Sequence, residues 1–341
     1  MRCEKDRQSM NVGWRSAIAR STHTRRCRGF LLLLAIGANA QANAQSTSAP
    51  SPTTADEFFA AGAAYSQAAQ FDKAKENYFR SIDLDSASAK PYMAIGTDYL
   101  AQHKEPQALV WLTRAVALDP ANQDALLLLS QALVQGKYYE TAQSYLAKYV
   151  SQRPGDVKGW LLLGDAYLND EQPENALKNY QKALQLVPDV AAAQYLVGDT
   201  YSQLNDLAQA KTHLSRAIAI DPNLADARLR LADLAYREGN NEEALNQLEA
   251  AIAIHGPLAE SNYLYAKVFL RERRYGEALN ILLLSVQKYP QDQRFHYLLA
   301  QLYRNTGKTE EAKQELRIYE TAEKMRELRH RYVRHSFVFV Q

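Results

Sequence analysis

Residues 157–190, VKGWLLLGDAYLNDEQPENALKNYQKALQLVPDV, decide the fold. Trp160, Leu163, Gly164 and Tyr167 stand at i, i+3, i+4 and i+7, which is one apolar face of a helix. Residues 169–173 break the pattern, and Pro173 is pre-set for the first turn of a second helix. Ala176, Tyr180 and Ala183 mark the inner face of that helix. Pro188 then ends the unit, because proline lacks an N–H and clashes with a preceding helical turn. The stretch predicts two helices joined by a short turn.

The same unit recurs in both directions. Pro120, Pro154, Pro188 and Pro222 keep one constant spacing, Gly256-Pro257 fills the next slot one residue late, and Pro290 resumes the step. Ala74, Ala108, Ala142, Ala176, Ala210, Ala244, Ala278 and Ala312 form an unbroken row. A second row of small residues runs twelve places ahead of it: Gly62, Gly96, Ser130, Gly164, Gly198, Ala232, Ala266 and Ala300. Small residues belong where two helix backbones approach closely, since a larger side chain would push the pair apart. Eight copies cover 55–326, as 55–88, 89–122, 123–156, 157–190, 191–224, 225–258, 259–292 and 293–326. A period of this length predicts an all-α solenoid of stacked units, not one closed core.

The spacing Trp160, Leu163-Gly164, Tyr167, Ala176, Tyr180, Ala183, Pro188 resembles the tetratricopeptide repeat position for position. The resemblance implies a right-handed superhelix of antiparallel helix pairs, whose first helices line a concave groove holding a peptide or partner protein. Ser86 in the first unit and Lys324 in the last replace the closing proline. The last helix is therefore expected to run on to about Tyr332, with Ile318, Ala322, Met325, Leu328 and Tyr332 as an apolar stripe covering the end of the array. Glu320/Lys324 and Glu327/Arg331 add i,i+4 pairs to it. Chaperone-binding relatives grip a C-terminal carboxylate with a lysine–asparagine clamp. Here the asparagine slots hold Ala94, Leu128, Leu162 and Leu196, so the resemblance does not extend to that clamp.

Charge and cysteine content narrow the function further. The 341 residues, 47% apolar and 23% charged, exclude a collagen-like, disordered or polytopic membrane chain. Residues 1–44 carry 8 basic and 2 acidic side chains and both cysteines, Cys3 and Cys27. The remainder is net acidic and thiol-free, which argues against phosphate-backbone binding to nucleic acid and excludes disulfides and cysteine chemistry. Arg15, Arg20, Arg25, Arg26 and Arg28 precede a short apolar run. Ala38-Asn39-Ala40 and Ala42-Asn43-Ala44 follow as exits for a signal peptidase. Residues 1–44 are thus read as an export signal, 45–54 as a flexible Ser/Thr/Pro-rich linker, and 327–341 as a helix extension and tail. The expected location is periplasmic or secreted, or membrane-anchored if the leader stays on.

No motif in the chain announces catalysis. Gly307-Lys308-Thr309 resembles the end of a phosphate loop, but Leu302 stands where the earlier glycine belongs, so the triplet reads as a turn. The histidines are scattered, His330 and His335 lie off one helical face, and neither a metal nor a cofactor is expected. What remains is binding surface. On the groove face, position 5 of the units includes Leu161, Tyr195, Leu229, Tyr263 and Tyr297, and position 9 includes Asp165, Asp199, Asp233 and Lys267. Arg271 and Arg304 add positive charge toward the C-terminal end. These residues are expected to line a groove for a protein or peptide; the competing reading of position 5 is packing between neighbouring first helices. Lys324, Arg326, Arg329, Arg331 and Arg334 offer a second contact, to an acidic partner or anionic lipid. The chain therefore reads as a non-enzymatic scaffold. The alternatives are an envelope structural component docking through its basic end and an accessory subunit of a secreted enzyme.

Removal of the leader is directly measurable. Intact-mass analysis of exported protein should show a start near Gln41 or Gln45. A full-length exported chain would contradict it.

Overall fold

The structure, a computed structural model, describes residues 52–336, with side chains through Leu328. The expected leader, most of the linker and the last five residues lie outside the described residues. Sixteen helices, and no strand among the described residues, follow the repeat frame. The first four repeats contribute α1 (Ala55–Gln67), α2 (Phe71–Leu84), α3 (Ala89–Ala101), α4 (Glu105–Leu118), α5 (Gln123–Gln135), α6 (Tyr139–Gln152), α7 (Val157–Asn169) and α8 (Pro173–Leu186). The fifth and sixth add α9 (Ala191–Gln203), α10 (Leu207–Ile220), α11 (Ala225–Arg237) and α12 (Asn241–His255). The last two add α13 (Ala259–Arg271), α14 (Tyr275–Lys288), α15 (Arg294–Asn305) and α16 (Thr309–Ser336).

Local chemistry sets the helix ends. Thr54 and Glu57 close a capping box at the start of α1, and the side chains of Asn122, Asp156, Asp206 and Asn240 accept from first-turn N–H groups of α5, α7, α10 and α12. Each turn between paired helices places one residue in the left-handed region: Ala69, His103, Lys137, Glu171, Asn205, Gly239, Arg273 and Gly307. Glycine fills that slot in two of the eight repeats; the other side chains adopt a conformation that sterics disfavour. Gly307-Lys308-Thr309 is one of these turns, with Gly307 at φ +78°.

The described residues form two compact units that divide between Leu204 and Asn205, inside the turn of the fifth repeat. The first holds α1–α9 and the second α10–α16. Within each, every helix packs on its sequence neighbours, and first helices of successive repeats also touch: α1/α3, α3/α5 and α5/α7 in one unit, α11/α13 and α13/α15 in the other. Second helices of successive repeats make no comparable contact, so the first helices form the tighter side of each unit.

The alanine row is fully buried from Ala74 to Ala278. The residue one turn later, Tyr78, Leu112, Leu146, Tyr180, Leu214, Leu248 or Leu282, is buried just as deeply. In three repeats of the first unit it lies against the glycine of the small-residue row. A Cβ added at Gly62 would come 2.6 Å from the Tyr78 ring, and additions at Gly96 and Gly164 would collide with Leu112 and Tyr180. Successive repeats meet at a second such point. A Cβ on Gly159 in α7 would stand 2.7 Å from the ring of Tyr149 in α6.

The C-terminal end departs from expectation. α16 continues past Tyr332 to Ser336, but Ile318, Met325 and Leu328 are 41%, 53% and 48% exposed. They do not cover the array. Ile318 occupies the outward slot held by Arg80, Arg114, Lys148, Lys182 and Arg216 in earlier repeats, all exposed, so the stripe continues the solvent face of the second helices.

Gly164→Ala should destabilise the protein by about 1–3 kcal/mol, because the buried Tyr180 ring has no room to retreat. Nearest-neighbour coupling predicts that faster hydrogen exchange will concentrate in α7 and α8 and their immediate neighbours. Uniform acceleration across the protein would refute that coupling.

Candidate interaction surface

The clearest concentration of interacting groups lies on the first helices of the second unit, around Tyr236 near the end of α11. Arg271 of α13 stacks its guanidinium on the Tyr236 ring, Cζ 3.5 Å from the centroid. Its Nη1 also donates to the Tyr236 carbonyl and, at 3.3 Å, to Asn241 Oδ1. Lys267, one turn earlier, holds its Nζ 4.4 Å from the same centroid and 5.5 Å from that of Tyr263. Arg294 stands over Tyr263 at 4.9 Å, and that ring meets Phe295 edge-on at 6.4 Å. The helical repeat explains the cluster. Lys267 and Arg271 are four apart on α13, and contact between α11 and α13 brings that face beside Tyr236.

The electrostatics of the patch are unbalanced. Lys267 is half-buried, and burial holds its ammonium below the usual lysine value; Arg271 and Arg237 push the same way, against Asp233. Arg237 donates to Asn205 Oδ1 at 2.6 Å, and Arg294 is neutralised by Asp292 at 2.6 Å and Glu260 at 3.3 Å. The patch thus offers aromatic faces beside clustered cations, which suits an acidic group flanked by apolar ones. Among the described residues no group of His, Cys, Asp and Glu could hold a metal ion, and no helix is long and apolar enough to cross a membrane. His296 Nδ1 lies 2.6 Å from Glu315 Oε2, joining α15 to α16.

The expected groove residues separate into several environments. In the second unit, Leu229 and Tyr263 are half-buried against the core formed around Phe295 and Leu299. Tyr297 is exposed, its ring 5.2 Å from Tyr319, and Arg304 is exposed near the end of α15. In the first unit, Leu161 packs on Tyr180 and Val197, and Tyr195 is half-buried. The acids expected to face a ligand are mostly withdrawn. Asp165, half-buried, accepts a 2.6 Å hydrogen bond from the Tyr180 hydroxyl, and Asp199, which is buried, accepts one from Gln203 at 3.2 Å. The cause at Asp165 is local: Tyr180 fills the space left by Gly164, and its hydroxyl needs a partner. Tyr236 was not among the expected site residues. Position 12 shares the groove face, and reading that column, Ser66, Leu100, Val134, Leu168, Ser202, Tyr236, Leu270, Arg304, would have singled it out as the one aromatic.

Comparison with known proteins is consistent with this architecture. Residues 149–331, more than half of the chain, match the family described as Cilia and flagella-associated protein 70 C-terminal domain, and residues 99–166 match the tetratricopeptide repeat. No curated protein matches. A tetratricopeptide repeat protein from Parabacteroides merdae is similar at TM-score 0.59 and 17% identity, over 69% of this chain and 93% of that one. The Pseudomonas aeruginosa pilF structure gives TM-score 0.54 and 19% identity, over 62% and 97%. A chain of the APC/C hetero-tetramer Cut9–Hcn1 gives 0.55 and 13%, over 79% and 73%. Identities this low establish the fold alone.

Asp165 makes stability depend on pH. Burial pushes its carboxyl up to about 6 from 3.8, with the Tyr180 hydrogen bond opposing. The folded protein therefore holds this proton more tightly than the unfolded chain. That contribution is fully present below pH 3.8 and is lost as pH rises through about 6. Asp165→Asn keeps an acceptor for Tyr180 without the buried charge, so above that range it should be more stable than the parent by about 1–3 kcal/mol. Denaturant titrations at a series of pH values check this; identical pH profiles for the two proteins would exclude it.

Proposed function

The chain belongs to the tetratricopeptide repeat family, and on that premise we propose that it is a non-enzymatic scaffold holding a peptide segment of a partner protein. Repeats of this family generally mediate protein–protein interaction. The observation that carries the finer reading is the placing of Lys267 and Arg271 over the Tyr236 and Tyr263 rings on the first-helix face of the second unit, with the charge of Arg237 acting on Lys267. The half-buried Lys267 ammonium is repelled by its cationic neighbours, and an acidic side chain relieves that repulsion while apolar neighbours settle on the rings. The segment we propose is extended and mixes acidic with aromatic or aliphatic residues. The order of basic, apolar and small residues in 1–44 supports placing this scaffold outside the cytosol.

A random peptide library displayed on phage and selected on the purified chain tests the reading. Enriched peptides should carry an acid beside apolar residues. Lys267→Ala with Arg271→Ala should weaken them about tenfold or more, with a shallower salt dependence than the parent. The melting temperature of Arg271→Ala alone should move little, since Arg271 is an exposed residue. Peptides enriched without acids, or bound equally by the double variant, would refute this surface.

A further inference from the structure

The two ends of the repeat array are chemically unlike. Where repeats follow one another, position 3 of the incoming first helix is buried: Pro91, Ala125, Gly159, Ala193, Ala227, Ser261 and Phe295. Gly159 shows what it meets, the ring of Tyr149 at position 27 of the preceding second helix. In the first repeat position 3 is Glu57, exposed and engaged by the backbone N–H groups of Thr53 and Thr54 at 2.7 and 3.1 Å. Those hydrogen bonds, the Thr53 N–H foremost, hold its carboxyl below the usual range. An ionised side chain there bars another helix pair from stacking on that end.

The C-terminal end has no such device. Positions 20, 24 and 27 of the second helix are buried in all seven earlier repeats; in α16 they are Ala312 and Tyr319, both partly exposed, and Leu316, 38% exposed. This surface continues the interface that joins successive repeats, and none of the described residues covers it. Glu57 excludes head-to-tail completion by a second chain's N-terminal end.

We infer that a second copy of this chain occupies this surface, α16 against α16 about a two-fold axis, so that α15 and α16 of both copies form a four-helix bundle. With Leu316 of each copy level with Tyr319 of the other, the helices run antiparallel. Lys313 then falls beside Glu320 of the other copy on one flank, and Glu311 beside Arg326 on the other. Each pairing occurs twice. A parallel arrangement would carry Lys313 of one copy and Glu320 of the other to opposite flanks, where they could not pair. Lys313 and Arg326 now sit 2.8 Å from Glu310 and 2.7 Å from Glu323 on their own helix, i,i+3 pairs at the surface that exchange partners at little loss. An isologous contact of this kind closes at two chains.

Sedimentation equilibrium of the full chain tests the inference. The parent should be a dimer at about 10 µM, with no larger species as concentration rises. Leu316→Glu should raise the dimer dissociation constant about 100-fold or more while leaving the melting transition of the monomer cooperative, because Leu316 is already partly exposed. Lys313→Glu alone should weaken the dimer, and Lys313→Glu with Glu320→Lys should restore it, a rescue that only the antiparallel pairing predicts. A parent that stays monomeric to about 100 µM overturns the inference, as does a dimer indifferent to Leu316→Glu. Open-ended polymers would overturn it in favour of head-to-tail stacking. A monomer captured by phosphatidylserine vesicles through Leu316 would overturn it in favour of a membrane surface.

Discussion

The close approach of two helices across a residue with almost no side chain is the contact on which the rest of this protein depends. Gly62, Gly96 and Gly164 leave room for Tyr78, Leu112 and Tyr180, and those large side chains fill the space so completely that a single Cβ would not fit. Fixing that approach fixes the angle between paired helices, and the angle determines which face of the pair meets the next. Each repeat is too small to bury its apolar surface alone; stacking supplies what one helix pair lacks.

The same contact distributes polar chemistry. Where the large partner is Tyr180, its hydroxyl reaches past Gly164 and engages the half-buried Asp165. Where the partner is leucine, as at Leu248, there is no such hydroxyl, and Asp233 in the same repeat, also half-buried, acts on Lys267 instead. The cationic patch around Tyr236 follows from the contact between α11 and α13, which faces the cations of one helix onto the ring of the other.

The ends show how much the array depends on neighbours. Glu57 makes the first helix self-sufficient, with its carboxylate hydrogen-bonded to its own helix start. The last helix instead carries the residues that elsewhere lie inside an interface, and they remain open to solvent. Identical columns therefore have different meanings according to what stands beside them.

The repeat length, the helix pairs and the rows of small residues were legible in the sequence, because each is set by local spacing and by steric limits that hold in every copy. The turn at Gly307 was legible for the same reason. Tertiary structure alone decided that Asp165 is bonded to Tyr180 and Asp199 buried, that Tyr236 is a platform for Arg271 and Lys267, and that Ile318, Met325 and Leu328 face solvent. The Tyr180–Asp165 and Arg271–Tyr236 contacts join residues 15 and 35 positions apart. Periodicity says which face a residue occupies, but burial is set by the size and polarity of whatever the neighbouring helix places against that face.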